Sequence, residues 1–368
     1  MTVPAGVSTA NASSAAASSA AAGSSAAAQQ ARGSDYAELS RQIREAGLTA
    51  RRPGHYALQI AVTAALLVGG WVAVVLVGNS WWQLAVAAFL AIVFSQLGFL
   101  GHDAGHRQST GSRRTSYILG LLLGDLGIGL SFGWWVGKHN RHHAHPNTEG
   151  ADPDINMKVL AFTPEQASAA GGLSKAMFRW QAYFFFPLLF GEAISLHVSS
   201  IRSVLSRSGR ARLPEGLLLA AHFASYLAIL FVVLPPLKAI VFIVVQQGLF
   251  GLYMGAAFAP NHKGMPVLTA DDKTDFLRRQ VLTSRNVRGG WFNDLLLGGL
   301  NYQIEHHLFP SMPRPNLRRS QPLIRDFCLK HDLPYCQASL FGSYGQAVRY
   351  LNSVGRQTVS TVAANSAS

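Results

Sequence analysis

Apolar and polar positions alternate along this chain in long blocks. Ala57–Val77 and Trp81–Leu100 are nearly uninterrupted apolar runs. Each is long enough to cross a hydrocarbon layer of about 30 Å, which takes ~20 helical residues. Only Gly78-Asn79-Ser80 lies between them, so they predict a helical hairpin. Leu217–Leu234 and Leu237–Phe258 predict a second hairpin, turned at Pro235-Pro236. Two further apolar stretches are interrupted: Tyr117–Val136 by Asp125 and several glycines, Ala182–Ile201 by Pro187, Glu192 and His197. They read as interfacial or re-entrant segments. Residues 35–52 are charged with a short amphipathic pattern, which predicts a cytosolic lead-in helix. Residues 1–34 are dominated by Ala and Ser and read as a disordered tail, and residues 346–368 read as a C-terminal tail. The expected fold is an all-α integral membrane protein with four transmembrane helices in two hairpins.

Charge orients the hairpins. Lys and Arg number five before residue 57, none at the first turn, twelve in 101–216, one (Lys238) at the second turn and thirteen after 258. The positive-inside rule then puts both termini and the middle segment in the cytosol. A lone crossing by either interrupted stretch would invert the remaining spans and spoil this asymmetry. The sequence is 49% hydrophobic and 13% charged, about half the usual charged share for soluble proteins. The net charge of +13 is spread around apolar spans rather than gathered in one tract. It therefore favours an anionic lipid surface and argues against a nucleic-acid partner. Cys328 and Cys336 support neither a disulfide framework nor a cysteine zinc site, in keeping with a reducing compartment.

Seven of the thirteen histidines fall in three clusters: His102-Asp-Ala-Gly-His106, His139-Asn-Arg-His142-His143 and Gln303-Ile-Glu-His306-His307. On a helix, His102 and His106 share a face, and the i, i+3, i+4 spacing of the other clusters gathers their side chains on one stripe. The predicted topology puts all three clusters at one face of the membrane. Neutral imidazole is a metal ligand. A zinc-protease helix would need glutamate where Asp103 stands. Seven histidines also exceed the three or four protein ligands of a zinc site, which points to two metal ions. Two irons held mainly by imidazole are suited to binding and reducing dioxygen.

These segments, extended to His102–Arg107, His139–Asn147 and Asn301–Pro310 and joined by Met312-Pro313-Arg314 and Asn316-Leu317, resemble those of membrane fatty acid desaturases. The glutamine leading the third cluster resembles the front-end branch, which acts on acyl-lipids or linoleoyl-CoA. The resemblance covers residues 35–345. It implies a cytosolic helical cap holding a di-iron centre over the four spans, and oxygen-dependent conversion of an acyl chain into its cis-unsaturated form, with O2 as co-substrate. Carried over by residue, it implies that His102, His106, His139, His142, His143, His306 and His307 ligate iron. His262, in Pro260-Asn261-His262-Lys263, stands where the family has another ligand, and Gln303 stands where many relatives have histidine.

Other residues have more modest expected roles. Asp152 and Asp154 either orient ligand histidines or form a turn around Pro153. His145 caps or supports its cluster without binding metal. His222, inside a span, reads as a hydrogen-bonding partner between helices. Trp134-Trp135 and Phe184-Phe185-Phe186 read as an interfacial belt. Arg107, Lys138, Arg141, Arg285 and Arg288 are candidates for docking an acidic electron donor or the substrate's phosphates. The His-Pro-Gly-Gly haem motif fused to many front-end relatives does not occur, so the expected electron source is a separate ferredoxin or cytochrome b5 with its reductase. The expected location is a bacterial cell membrane, with the active site cytosolic. Alternatives are a hydroxylase on the same scaffold and, more remotely, a membrane metal transporter.

Overall fold

The computed structural model describes residues 35–365 apart from 158, 207 and 209–211, with side chains described to residue 356. The expected tail at 1–34 lies outside the described residues. The chain begins with helix α1 (35–45) and continues into α2 (Pro53–Val77) and α3 (Gln83–Gly105). Helix α4 (Arg113–Gly120) runs into a wider π-turn at Leu121–Leu126, and α5 (Phe132–Ala144) comes next. The middle of the chain holds α6 (Pro164–Ala169), α7 (Gly172–Leu189), α8 (Glu192–Ser206), α9 (Arg212–Val233) and α10 (Pro236–His262). Beyond them lie α11 (Phe276–Leu282), α12 (Trp291–Leu296), α13 (Gln303–Leu308), α14 (Arg314–Lys330) and α15 (Leu340–Asn365). Two short strands, β1 (Asn286–Val287) and β2 (Gln337–Ala338), pair in parallel.

Among the described residues, four helices are long and apolar enough to span a membrane: α2, α3, α9 and α10. They match the four runs predicted from hydropathy. Helix α3 is central, with 56% of its apolar window covered by protein, whereas α2 is peripheral at 17%. Phe94, Leu90, Phe242, Phe250 and Leu230 fill the space between them. The interrupted stretch around Pro187 is a pair of helices, α7 and α8, bent by 78°.

Both hairpin turns lie at the same end of the bundle. Lys238 Nζ donates to the Asn79 side chain at 2.8 Å and to the Asn79 carbonyl at 3.2 Å. Gly78 has φ +57, a conformation that costs glycine least. Gln83 Nε2 donates to the carbonyls of Val74 and Gly78, closing the end of α2 where lipid offers no hydrogen-bond partner.

At the other end the helices outrun their apolar windows. The last turns of α3 and α10 extend beyond Leu100 and Phe258 into a cap and carry His102 and His262. The cap has its own core, in which Leu39 and Ile43 of α1 pack with Leu277, Ile304, Leu308, Leu317, Ile324 and Phe327. The predicted lead-in helix is thus a structural part of the cap. The boundary drawn at 345/346 falls inside α15, where Ala347, Leu351 and Val354 are buried. The packed structure therefore continues past that point, because α15 presents one apolar face to α7 and its neighbours.

Candidate metal centre

Four elements bring the histidine clusters together. Helix α3 supplies His102, and His106 follows directly as its C-cap. Helix α5 supplies His139, His142 and His143, α10 ends on His262, and α13 supplies Gln303, His306 and His307. Helix α5 starts at this level because Ser131 caps it, its hydroxyl accepting from Trp134 N at 3.1 Å. Asp125 accepts from Phe132 N, and Glu215 accepts from Ser131 Oγ and Gly133 N. His222 donates from Nδ1 to the Leu126 carbonyl and His197 donates from Nδ1 to that of Gly129, so both secure the chain leading into α5.

The imidazoles form two groups, each with ligand atoms within 4.8 Å of one another: His102, His106, His139, His143 and His306 in one, His142, His262 and His307 in the other. The single stripe expected on α5 is therefore divided. Successive helical residues are about 100° apart, so residues i+3 and i+4 diverge to either side of residue i. His143 joins His139 in the first group while His142 turns to the second. His306 and His307 part in the same way on α13.

The nitrogens meet at distances suited to a shared cation. His143 Nε2 is 3.0 Å from His139 Nε2 and 3.1 Å from His306 Nε2, and His142 Nε2 is 3.3 Å from His262 Nε2. Adjacent ligands on one ion with bonds of about 2.1 Å would be roughly 3 Å apart. Nε2 of His102, His106 and His307 is buried with no hydrogen-bond partner. Such orphaned atoms cost about 1–3 kcal/mol each unless something binds them. Burial, reinforced by neighbouring imidazoles, pushes His139, His143, His306 and His307 well below the usual histidine pKa. They are neutral and their lone pairs are free for a metal. The residues fit two cations.

Several side chains orient the rings from behind. Nδ1 of His142 donates to Asp152 at 3.0 Å, His102 to Asp103 at 3.2 Å, His307 to Gln280 at 2.8 Å and His262 to the Thr283 carbonyl at 2.9 Å. Each bond leaves Nε2 as the lone-pair nitrogen facing its group. Asp103 is itself paired with Arg314 at 2.6 Å. Asp152 also accepts from the backbone of Asn147 and Asp154. Burial alone would raise its pKa, but the bond from His142 lowers it. Asp154 pairs with Lys138 at 2.5 Å and also faces His142 Nδ1 at 3.5 Å. Gln280 and Thr283 carry no signal in the sequence, and Arg314 stands out there only as part of Met312-Pro313-Arg314, with nothing to pair it with Asp103. They are single polar residues whose partners lie 27, 21 and 211 positions away.

Gln303 lies at the three-histidine group, its Nε2 2.8 Å from His262 Nε2 and its Oε1 accepting from Asn261. His145 lies outside both groups and its ring meets Arg279. Trp135 departs from its expected place in an interfacial belt. It precedes His139 by one turn on the same face of α5 and stacks on it, with ring centroids 4.5 Å apart. In the second aromatic run Phe184 and Phe186 are exposed but Phe185 is buried. Arg285 is not a docking residue. It is fully buried, because its guanidinium is spent on carbonyls at the end of α10. Lys138 is likewise engaged by Asp154, while Arg107, Arg141 and Arg288 remain exposed. A cleft of about 470 Å³ opens beside His106, lined by Tyr117, Phe132 and Val136 together with Arg107 and Arg113.

The orienting bonds make a measurable difference. Asp152→Ala is expected to weaken metal retention at the three-histidine group by roughly 10–100-fold. Elemental analysis after graded chelator treatment would register the loss, and retention equal to the parent would refute an orienting role for this carboxylate.

The family profile described as fatty acid desaturase matches residues 79–339. Among similar proteins, the acyl-lipid (9-3)-desaturase of Physcomitrium patens is 35% identical over 268 residues, covering 70% of this chain and 50% of the relative. The Delta(6)-fatty-acid desaturase of Caenorhabditis elegans is 32% identical, covering 74% of this chain and 65% of the relative. The Delta(8)-fatty-acid desaturase of Euglena gracilis is 30% identical, with 82% and 74% covered. The chain thus spans half to two thirds of the length of the first two relatives.

Proposed function

The chain belongs to the fatty acid desaturase family, and from that premise we propose that it introduces a cis double bond into a fatty acyl chain carried by coenzyme A or a glycerolipid. The observation that carries this reading is the division of eight buried imidazoles into groups of five and three that meet across α5. We assign both groups to iron, with His102, His106, His139, His143 and His306 holding one ion and His142, His262 and His307, with Gln303 beside them, holding the other. Iron there would supply the activation of dioxygen by which two vicinal hydrogens leave the acyl chain and water is formed.

The protein's own part is to place the chain and keep the site dry. The cleft beside His106 offers apolar lining for methylene groups, and the exposed Arg107 and Arg113 that also line it suit a phosphate-bearing head group. Trp135 packs over His102 and His139, excluding water from that side of the five-histidine group. An acidic electron donor of ferredoxin or cytochrome b5 type would meet the exposed Arg141 and Arg288. The basic residues on the histidine side of the spans favour a cytosolic active site. The named relatives are eukaryotic and lend no support to a bacterial membrane.

The test is expression in a host that makes no polyunsaturated lipids, with the new double bond located by mass spectrometry and metal counted in the purified protein. Two irons per chain and one new cis bond are expected. Unaltered lipids across a range of fed acyl chains, or zinc in place of iron, would sink the proposal.

A further inference from the structure

Residues 287–300, between β1 and the third histidine cluster, form a two-faced segment. Its inner face packs Val287, Leu297 and Leu300 against Phe99 of α3 and Ala257 of α10. Its outer face has no partner among the described residues: Trp291 is 78% exposed, Phe292 56% and Leu295 54%. The last carbonyls of α12 are bonded to the spans themselves. Gln96 Nε2 donates to Leu295 O at 3.3 Å, and Tyr253 OH donates to Leu296 O at 2.8 Å.

The position of those two donors sets a depth. Gln96 lies nine residues before Gly105, the end of α3, and Tyr253 lies nine before His262, the end of α10. At 1.5 Å per residue both are about 14 Å back along the spans from the histidine end. Measured from Gln83 at the far end, Gln96 is about 20 Å along a helix that crosses some 30 Å of hydrocarbon. The end of α12 therefore sits inside the apolar layer, one turn above Ile92, which is itself exposed on α3.

We propose that Trp291–Leu300 is a membrane-dipping wedge whose outer face is covered by lipid acyl chains, continuing the lipid-facing surface of α3. The backbone is equipped for this. Carbonyls at a helix end need partners where water is scarce, and Gln96 and Tyr253 supply them. The polar side faces the cap: Asp294 accepts from Asn301 Nδ2 and Gly290 N and pairs with Arg318 at 3.4 Å. Gly298, at φ +59, lets the chain turn back against Phe99, whose ring fills the place a Cβ would take. Only four residues separate Gly298 from Gln303, so the bilayer holds one end of the segment that presents the third histidine cluster. Ten residues are too few to register as a span, which is why hydropathy alone does not mark this element.

The test places a nitroxide at Phe292→Cys in the full, metal-loaded chain, one copy per phosphatidylcholine nanodisc. Its collision rates with oxygen and with a water-soluble nickel complex are then compared. Leu66→Cys on α2 serves as lipid reference and Arg325→Cys on α14 as aqueous reference, and the unsubstituted chain corrects for Cys328 and Cys336. Leu295→Cys repeats the measurement if the first variant loses its metal. The expected result is an oxygen-to-nickel ratio shifted to that of the Leu66 label. A ratio like that of Arg325 would overturn the proposal. Shielding from both reagents would also overturn it, by showing that protein rather than lipid covers the face.

Discussion

Replacing His143 by alanine is expected to reduce formation of the new double bond to background, a loss greater than about 100-fold. Its position explains the size of the effect. His143 Nε2 lies 3.0 Å from one member of the five-histidine group and 3.1 Å from another, and its ring stacks on His307 of the second group at 4.2 Å. Truncation removes a candidate ligand and opens space beside a ring of the second group. Losing a residue that merely orients a ligand typically costs 10–100-fold, so losing the ligand itself costs more. Fatty acid profiles of expressing cells give the activity, and iron content of the purified variant gives the cause. A variant that keeps both irons and normal product would exclude His143 from the centre.

Arg285→Met is expected to be the most destabilising single change outside the histidines. The guanidinium donates from Nε and Nη2 to the Pro260 carbonyl, from Nη2 to that of Lys263 and from Nη1 to the Gln346 side chain. These bonds tie the end of α10, which carries His262, to α15. Hydrogen bonds from a charged donor are worth about 1.5–3 kcal/mol each, and a buried acceptor left without its donor adds a penalty. Because the bonds are not additive, a total of roughly 3–5 kcal/mol is expected. The midpoint of thermal unfolding in detergent should fall by on the order of 5–10 °C. Arg285→Lys should recover little, since an ammonium cannot reach three acceptors with the planar fork's geometry. A midpoint within about one degree of the parent would contradict this account.

The four spans are legible because lipid imposes a length and a hydropathy that a sequence displays directly. The histidine clusters are legible because their spacing is local. Their division between two groups is not, although the geometry that causes it is only the helical angle between residues three and four apart. Arg285 misleads for a different reason: a basic residue in a polar segment looks exposed, and the carbonyls that bury it come from α10 and α15. Gln280 and Thr283 orient rings supplied by other elements, and no spacing announces them, whereas Asp103 sits beside His102 inside the first cluster. Residue type alone assigns Trp135 to a membrane belt, yet its register, one turn from His139, already places it against the site. The wedge at Trp291 leaves no mark in the sequence because its depth is defined by Gln96 and Tyr253, far away in the chain.

Helix α5 contributes His139 and His143 to one histidine group and His142 to the other, so a single rigid rod bridges the two groups. A hinge elsewhere in the cap can tilt that rod and move His139, His142 and His143 together, but cannot stretch the interval among these three. The spacing of these three rings is thereby insulated from breathing of the surrounding helices, in the way that the jaws of a fixed gauge keep their opening when the bench is shaken.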